Sequence, residues 1–399
     1  MSFEDSVLIC DEVDPVLTKI LTDNGLQISY EPEITPEQIL EKISTFNIII
    51  VRSRTTITKE MIDKADNCKI IARVGVGLDN VDQEAAKAKN IRVINAVEGA
   101  MNAVAELVLG LMLSLARQTA RGDRAIRDGK WLKKELKGTE LRGKYLGIIG
   151  LGNIGKRLAR LARALNMNII GYDVMPIDEE FAKEVGLMKA DLNTLLQSSD
   201  YVSIHVPLLD STHHLLNAEK MSTMKNTAKI INTSRGGVVD EEALYEAIKN
   251  GTLGGAALDV FEKEPAIGNK LAELDNVILT PHIGGSTIEA QYNIGIEVAQ
   301  KLVSLVDNGS TNGSHTVPPL SLPVQGGTHR ILHIHKNMPG IMSEINRILS
   351  DLDINILGQY LKTNEKIGYV VLDIDKHNSE AVLSKMRQVK YTIKTRILY

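Results

Sequence analysis

Three segments of this chain each bring one reactive side chain to the end of a short apolar run: Arg235 in SRGGVVDEEAL, Glu264 in ALDVFEKEP and His282 in TPHIGGST. A guanidinium is a planar fork matched to a carboxylate. An imidazole exchanges its proton near neutral pH, and a carboxylate on its far ring nitrogen orients it and stabilises the imidazolium. Arginine, histidine and glutamate together are what the oxidation of a 2-hydroxy acid requires: a clamp for the carboxylate, a base for the hydroxyl proton, and a group that holds the base. The hydride must then go to a cofactor.

A site for such a cofactor is written in residues 145 to 173, YLGIIGLGNIGKRLARLARALNMNIIGYD. Gly150, Gly152 and Gly155 follow an apolar run in G-x-G-x-x-G spacing. Gly150 permits the tight turn, Gly152 lets a pyrophosphate approach the backbone, and Gly155 lets the following helix pack on the strand. That helix offers unpaired N–H groups and a positive dipole end to the phosphates. Asp173, eighteen residues after Gly155, can accept the ribose hydroxyls and would repel a 2'-phosphate, so the implied cofactor is NAD rather than NADP.

The elements that position these residues read as two α/β units. SVLICD, LQISYE, NIIIVRS, KIIARVG and IRVINA alternate with helical stretches, and a second alternation runs through YVSIHV, AKIINTS, GAALDV and NVILT. Strand–helix alternation predicts parallel sheets flanked by helices, with the three reactive segments at one rim of the second sheet. MNAVAELVLGLMLSLARQ, residues 101–118, is apolar nearly all round and is expected to be buried between domains or subunits. The expected division is a substrate-binding domain at 1–97, a Rossmann NAD-binding domain at 98–284, and a helix at 285–306 returning to the first domain. The Gly/Ser/Pro-rich stretch 307–327 is expected to be a linker, and residues 328–399 a ferredoxin-like βαββαβ module.

Composition limits the partners. Over 399 residues the chain is 43% hydrophobic and 24% charged, with a net charge of -4 and a pI near 6.2. No electrostatic footprint for nucleic acid or anionic membrane is present. Cys10 and Cys68 provide neither a disulfide framework nor a CxxC metal motif. The start MSFEDSV is acidic and lacks the basic start and long apolar core of a signal peptide, and the longest apolar stretch, Val104 to Ala116, is too short to span a bilayer. A cytoplasmic location is expected.

The glycine fingerprint together with SRGGVVDEEAL, ALDVFEKEP and TPHIGGST resembles the D-isomer-specific 2-hydroxyacid dehydrogenases, over residues 1 to about 306. The resemblance implies that Arg235 binds the substrate and that His282, paired with Glu264, is the acid–base. It places cofactor contacts on Val76, Asn153, Ile154, Asp173, Val206, Thr233, Asp259, His282 and Gly285. Arg52, Ser53 and the backbone of Gly75, Val76 and Gly77 would receive substrate from the first domain. RVGVGLDNVD and NAVAELVLGLMLSLAR narrow the resemblance to members that oxidise 3-phospho-D-glycerate. A phosphorylated substrate needs additional cations, for which Arg52, Arg54, Lys133 and Lys134 are candidates.

The tail resembles an ACT domain, and HIHKNMPG followed by DINI resembles its serine-sensing version. By that resemblance His335, Asn337 and, from a neighbouring subunit, Asn355 would hold L-serine as an inhibitor of a homotetramer. A metal reading of His329, His333 and His335 lacks a compelling third ligand. Two other readings remain open: a dehydrogenase of another 2-hydroxy acid such as 2-hydroxyglutarate, and a corepressor-like protein that binds NAD as a ligand.

Overall fold

The computed structural model describes residues 6–323, 327–375 and 379–398. Of the expected elements, the first five residues, positions 324–326 of the linker, and positions 376–378 and 399 of the C-terminal module lie outside the described residues. The chain forms two compact units, one of residues 1–99 with 291–399 and the other of residues 100–290.

The first unit is built on a five-stranded parallel sheet: β1 (Ser6–Ile9), β2 (Gln27–Tyr30), β3 (Ile48–Val51), β4 (Ile70–Arg73) and β5 (Arg92–Asn95), in the order β2-β1-β3-β4-β5. The Ile/Val runs form the central strands because both faces are covered, and β3 is buried along its whole length. Its helices begin with side-chain caps: Asp14, Thr35, Thr58 and Asp82 each accept from a backbone N–H of the first turn.

The second unit carries seven parallel strands: β6 (Tyr145–Ile149), β7 (Asn168–Tyr172), β8 (Leu187–Lys189), β9 (Tyr201–Ile204), β10 (Lys229–Asn232), β11 (Gly255–Leu258) and β12 (Val277–Leu279). Their order is β12-β11-β10-β9-β6-β7-β8. Strand order therefore reverses beside β6, the place where open α/β sheets form a ligand crevice. The apolar helix Met101–Arg117 buries Ala105, Val108, Met112 and Leu115 in the core formed by β6, β10 and β11, so its hydrophobic surface is used inside this unit. The edge strand β8 has only three residues, two of them exposed, and carries no hydrophobic period that would reveal it in the sequence.

The C-terminal module is an antiparallel sheet of β13 (His329–Lys336), β14 (Ile356–Thr363), β15 (Ile367–Ile374) and β16 (Thr392–Ile397), ordered β14-β15-β13-β16. Helices Ile341–Asp351 and Ser379–Met386 complete the βαββαβ plan. One face, with Ile331, Val370 and Leu372, packs on the helices; Leu332, Ile334, Tyr369 and Val371 on the other pack against Val317 and Leu322.

Val317 and Leu322 belong to the segment expected as a linker, and the structure corrects its character. Asn308, Ser310, Thr311 and Thr316 are buried. The buried Arg330 donates to both Asp373 oxygens at 2.6 and 2.7 Å and to the Asn308 and Pro323 carbonyls at 3.0 and 2.8 Å. At its other side the segment bonds β5: His315 N donates to Val93 O at 3.0 Å, Ser314 bridges Ile94, and Thr316 Oγ1 donates to Ile91 O at 3.1 Å. Gly, Ser and Pro here specify turns whose polar groups are internally satisfied, not a solvated tether.

Candidate active site

Every reactive residue of the second unit leaves the C-terminal end of a parallel strand. The glycine loop follows β6, Asp173 follows β7, Val206 lies beyond β9, Thr233 and Arg235 follow β10, Asp259 and Glu264 follow β11, and His282 and Gly285 follow β12. The single direction of the strands brings all of them to one edge.

The glycine loop has the form a dinucleotide requires. Gly150 adopts φ +91°. A Cβ on Gly155 would stand 2.1 Å from the Gly150 carbonyl oxygen, so only hydrogen fits where helix Asn153–Ala164 meets the strand. Gly152 caps that helix, and nothing lies within 4 Å of the position its Cβ would occupy. This open surface next to the N–H groups of Asn153 and Ile154 fits a pyrophosphate. Asp173 accepts from Leu151 N at 2.6 Å and Met175 N at 2.8 Å, which ties the acid to the loop while leaving it partly exposed. Among the described residues the buried Thr233 hydroxyl has no partner, which suits it to a ligand.

The loop after β10 is held by Asn232, whose Nδ2 donates to Arg235 O at 2.8 Å and whose Oδ1 accepts from Ser234 N at 3.0 Å. A Cβ at Gly236 would collide with Phe261 O at 1.8 Å. That contact sets the Arg235 loop directly against the loop carrying Glu264. Glu264 Oε1 accepts from Phe261 N at 3.2 Å, and its Oε2 lies 2.9 Å from His282 Nδ1. His282 is half exposed, and its backbone is left-handed at φ +53°.

Asp259, expected among the cofactor contacts, is bonded to the loop that carries His282. It has no exposed surface. Its carboxylate accepts from Thr280 Oγ1 at 2.6 Å, Ile283 N at 2.8 Å and Gly284 N at 2.8 Å. It thus pins the loop on both sides of His282 and acts by positioning.

In the first unit, Arg52 and Ser53 follow β3 and Gly75, Val76 and Gly77 follow β4. The buried Asp11 accepts from Arg52 N and, through Oδ1, from Thr55 Oγ1 at 2.6 Å; Asn80 Nδ2 donates to Arg52 O at 2.9 Å. The Arg52 guanidinium makes no hydrogen bond or ion pair among the described residues. Arg54 is different: it donates to the carbonyls of Ile34, Cys10 and Pro32 and pairs with Asp11 at 3.2 Å. This corrects its candidacy for phosphate, because its donors already hold the loop. Lys133 and Lys134 are exposed in the loop before β6.

The supporting residues Asp11, Asn80, Asn95 and Thr280 were not legible as site residues, since each is a single polar residue in an unremarkable stretch. Asn95 Nδ2 donates to Val76 O, and its Oδ1 lies 2.9 Å from His315 Nε2. In the C-terminal module His335 is buried with its Nδ1 2.8 Å from Lys336 O, and its Nε2 has no partner among the described residues. Asn337 Nδ2 donates to Asn364 O at 2.8 Å, and Asn355 N to Asp375 at 3.3 Å. His333 lies between the Thr392 and Thr395 hydroxyls at 3.4 and 3.5 Å, and burial lowers its pKa to about 4.

Comparison with known proteins agrees with this geometry. Residues 109–284 match the family model described as D-isomer specific 2-hydroxyacid dehydrogenase, NAD binding domain, and residues 331–394 match an AHAS small subunit-like ACT domain. The D-3-phosphoglycerate dehydrogenase of Haemophilus influenzae is 44% identical over 378 residues, covering 93% of this chain and 91% of its own. That of Escherichia coli K12 is 42% identical over 370 residues, covering 91% and 89%. Among solved structures, D-lactate dehydrogenase from Aquifex aeolicus, complexed with NAD and lactic acid, superimposes with a TM-score of 0.69 at 30% identity, covering 79% of this chain and 100% of the other. Identity and coverage of this extent assign the chain: it belongs to the D-isomer-specific 2-hydroxyacid dehydrogenase family and carries an ACT domain at residues 331–394.

Proposed function

We propose that this protein oxidises 3-phospho-D-glycerate to 3-phosphooxypyruvate with NAD, the entry step of serine biosynthesis by phosphorylated intermediates. The observation that carries the chemistry is the 2.9 Å contact between His282 Nδ1 and Glu264. With Nδ1–H donated to the carboxylate, Nε2 keeps its lone pair and takes the proton from the substrate hydroxyl. Arg235 clamps the carboxylate. NAD, held at the glycine loop and Asp173, supplies the hydride acceptor. Arg52, whose backbone is fixed by Asp11 and Asn80, supplies an uncommitted guanidinium for the phosphate.

The substrate reading draws on relatives named D-3-phosphoglycerate dehydrogenase that align with more than nine-tenths of the chain. Other family members with solved structures include a glyoxylate reductase from Paecilomyes thermophila, at 29% identity and a TM-score of 0.72, with 78% of this chain and 98% of that one covered. Steady-state rates with 3-phospho-D-glycerate, glyoxylate, lactate and 2-hydroxyglutarate test the choice. Faster turnover of an unphosphorylated acid overturns it.

L-serine is the effector we assign to the ACT domain. The buried, unpartnered Nε2 of His335 supports it, as does the placement of Asn337 and Asn355 on the same module. His335→Ala should raise the serine concentration for half-inhibition by about 10-fold or more, the cost of one lost buried hydrogen bond. Inhibition that is unaltered removes His335 from the serine site. A homotetramer working in the cytoplasm completes this reading. Among the described residues no single helix is long and apolar enough to cross a membrane, and sedimentation tests the tetramer.

A further inference from the structure

A small cavity of about 10 Å³ lies where β4 and β5 of the first sheet approach β13 and β16 of the C-terminal module. Its lining is Lys69, Arg92, Leu332, Ile334, Lys394 and Arg396. Strand register explains the convergence, because Arg396 pairs with Leu332 and Lys394 with Ile334 on adjacent strands, while Arg92 N bonds Lys69 O at 2.9 Å. Four of these six lining residues are cationic, and among the described residues no carboxylate lines the space.

Arg92 is only 7% exposed, yet its guanidinium makes no hydrogen bond or ion pair among the described residues. Its one notable neighbour is the ring of Tyr369, 5.9 Å from the guanidinium carbon. The Lys394 ammonium likewise has no such partner among the described residues. Burial, then Arg92, Arg396 and Lys69, hold Lys394 below the usual lysine range. A buried guanidinium without an acceptor loses its hydration with nothing in return, and like charges around it add repulsion. Such a cluster is stable when an anion shares the space.

We propose that this cavity binds a small inorganic anion, which neutralises Arg92 and Lys394 and ties the ACT domain to the first sheet. The volume is that of about one water molecule. It accepts chloride whole, or one oxygen of a phosphate or sulfate whose remainder lies outside. Nothing in this proposal depends on the catalytic reading or on serine.

The test is the thermal unfolding midpoint of the whole chain in chloride, phosphate or sulfate, with gluconate at matched ionic strength as the bulky control. At least one small anion should give a saturable rise of about 2 to 5 °C over gluconate, as expected for ligand near tenfold its dissociation constant. Arg92→Met should abolish the rise and Lys394→Gln should weaken it. Equal midpoints in all four salts, or variants that respond like the parent, overturn the proposal. Because Arg92→Met could disturb the core, crystals of the unaltered chain grown with bromide or phosphate provide a second test. An anion beside Arg92 in either supports the site, and a water or nothing there in both refutes it.

Discussion

His282 and Glu264 meet at 2.9 Å, although eighteen residues and a change of strand separate them. The contact exists because β11 and β12 run parallel and adjacent, and because Asp259 fastens the loop around the histidine. Glu264→Gln should keep the fold but lower turnover by roughly 10²- to 10⁴-fold, as loss of a histidine's orienting carboxylate does in triad enzymes. His282→Ala should lower it by roughly 10²- to 10⁴-fold. NAD binding, followed by fluorescence titration, should survive both; turnover close to that of the parent would remove the pair from the chemistry.

Gly152 and Gly155 separate binding from folding. At Gly152 an added methyl meets open space and φ is -70°, so Gly152→Val should fold normally and lose at least about 10-fold in NAD affinity, because the side chain stands where phosphate would approach. At Gly155 the same methyl strikes a backbone carbonyl at 2.1 Å. Gly155→Ala should therefore destabilise the second unit by about 1 to 3 kcal/mol. Denaturant melts beside NAD titrations should show these opposite patterns.

Removal of the Asp259 carboxylate leaves two backbone N–H groups and the Thr280 hydroxyl without their acceptor. Asp259→Ala should cost about 2 to 4 kcal/mol in urea unfolding and reduce turnover through misplacement of His282. An unchanged urea midpoint would show that the loop keeps its shape without this anchor.

The C-terminal module should be acid-sensitive. Burial depresses His333 in the folded state from 6.5 to about 4. Between these values the unfolded chain binds a proton that the folded chain does not, so stability rises with pH across this window and is lost as pH falls from 6.5 towards 4. The slope attributable to one such histidine approaches about 1.4 kcal/mol per pH unit. His333→Phe should flatten the corresponding part of the pH–stability curve, measured by hydrogen exchange in β13 and β15.

His315 connects the segment before the ACT domain to the loop after β4, proposed to receive substrate, through Asn95 and the Val76 carbonyl. His315→Ala removes one partly buried hydrogen bond, and the expected result is a rise of about 2- to 10-fold in KM for the hydroxy acid with little change in NAD affinity. Equal effects on both ligands would instead mean general loosening.

Much of this architecture was legible in the chain. The Ile/Val runs marked the parallel strands, the glycines and Asp173 marked the nucleotide loop, and Arg235, Glu264 and His282 stood at ends of predicted strands. Less legible were residues whose effect depends on tertiary contact. Arg54 looked like a phosphate ligand because its sequence context cannot reveal that three carbonyls and Asp11 surround it. The hydrogen bonds by which Asp259 fastens the loop around His282 were hidden for the same reason. The stretch after Asp307 has the composition of a tether, and only the side chains of Arg330, Thr316 and His315 reveal how firmly it is held.

That stretch also has a protective consequence. β5 is the outermost strand of the first sheet, and the Ser314 bridge to Ile94 covers part of its free side. An uncovered border of this kind invites other chains to pair with it. The polypeptide that leads to the ACT domain thus doubles as a hem for the first sheet, and a chain shortened to end at Asp307 would bare that border and tend to clump.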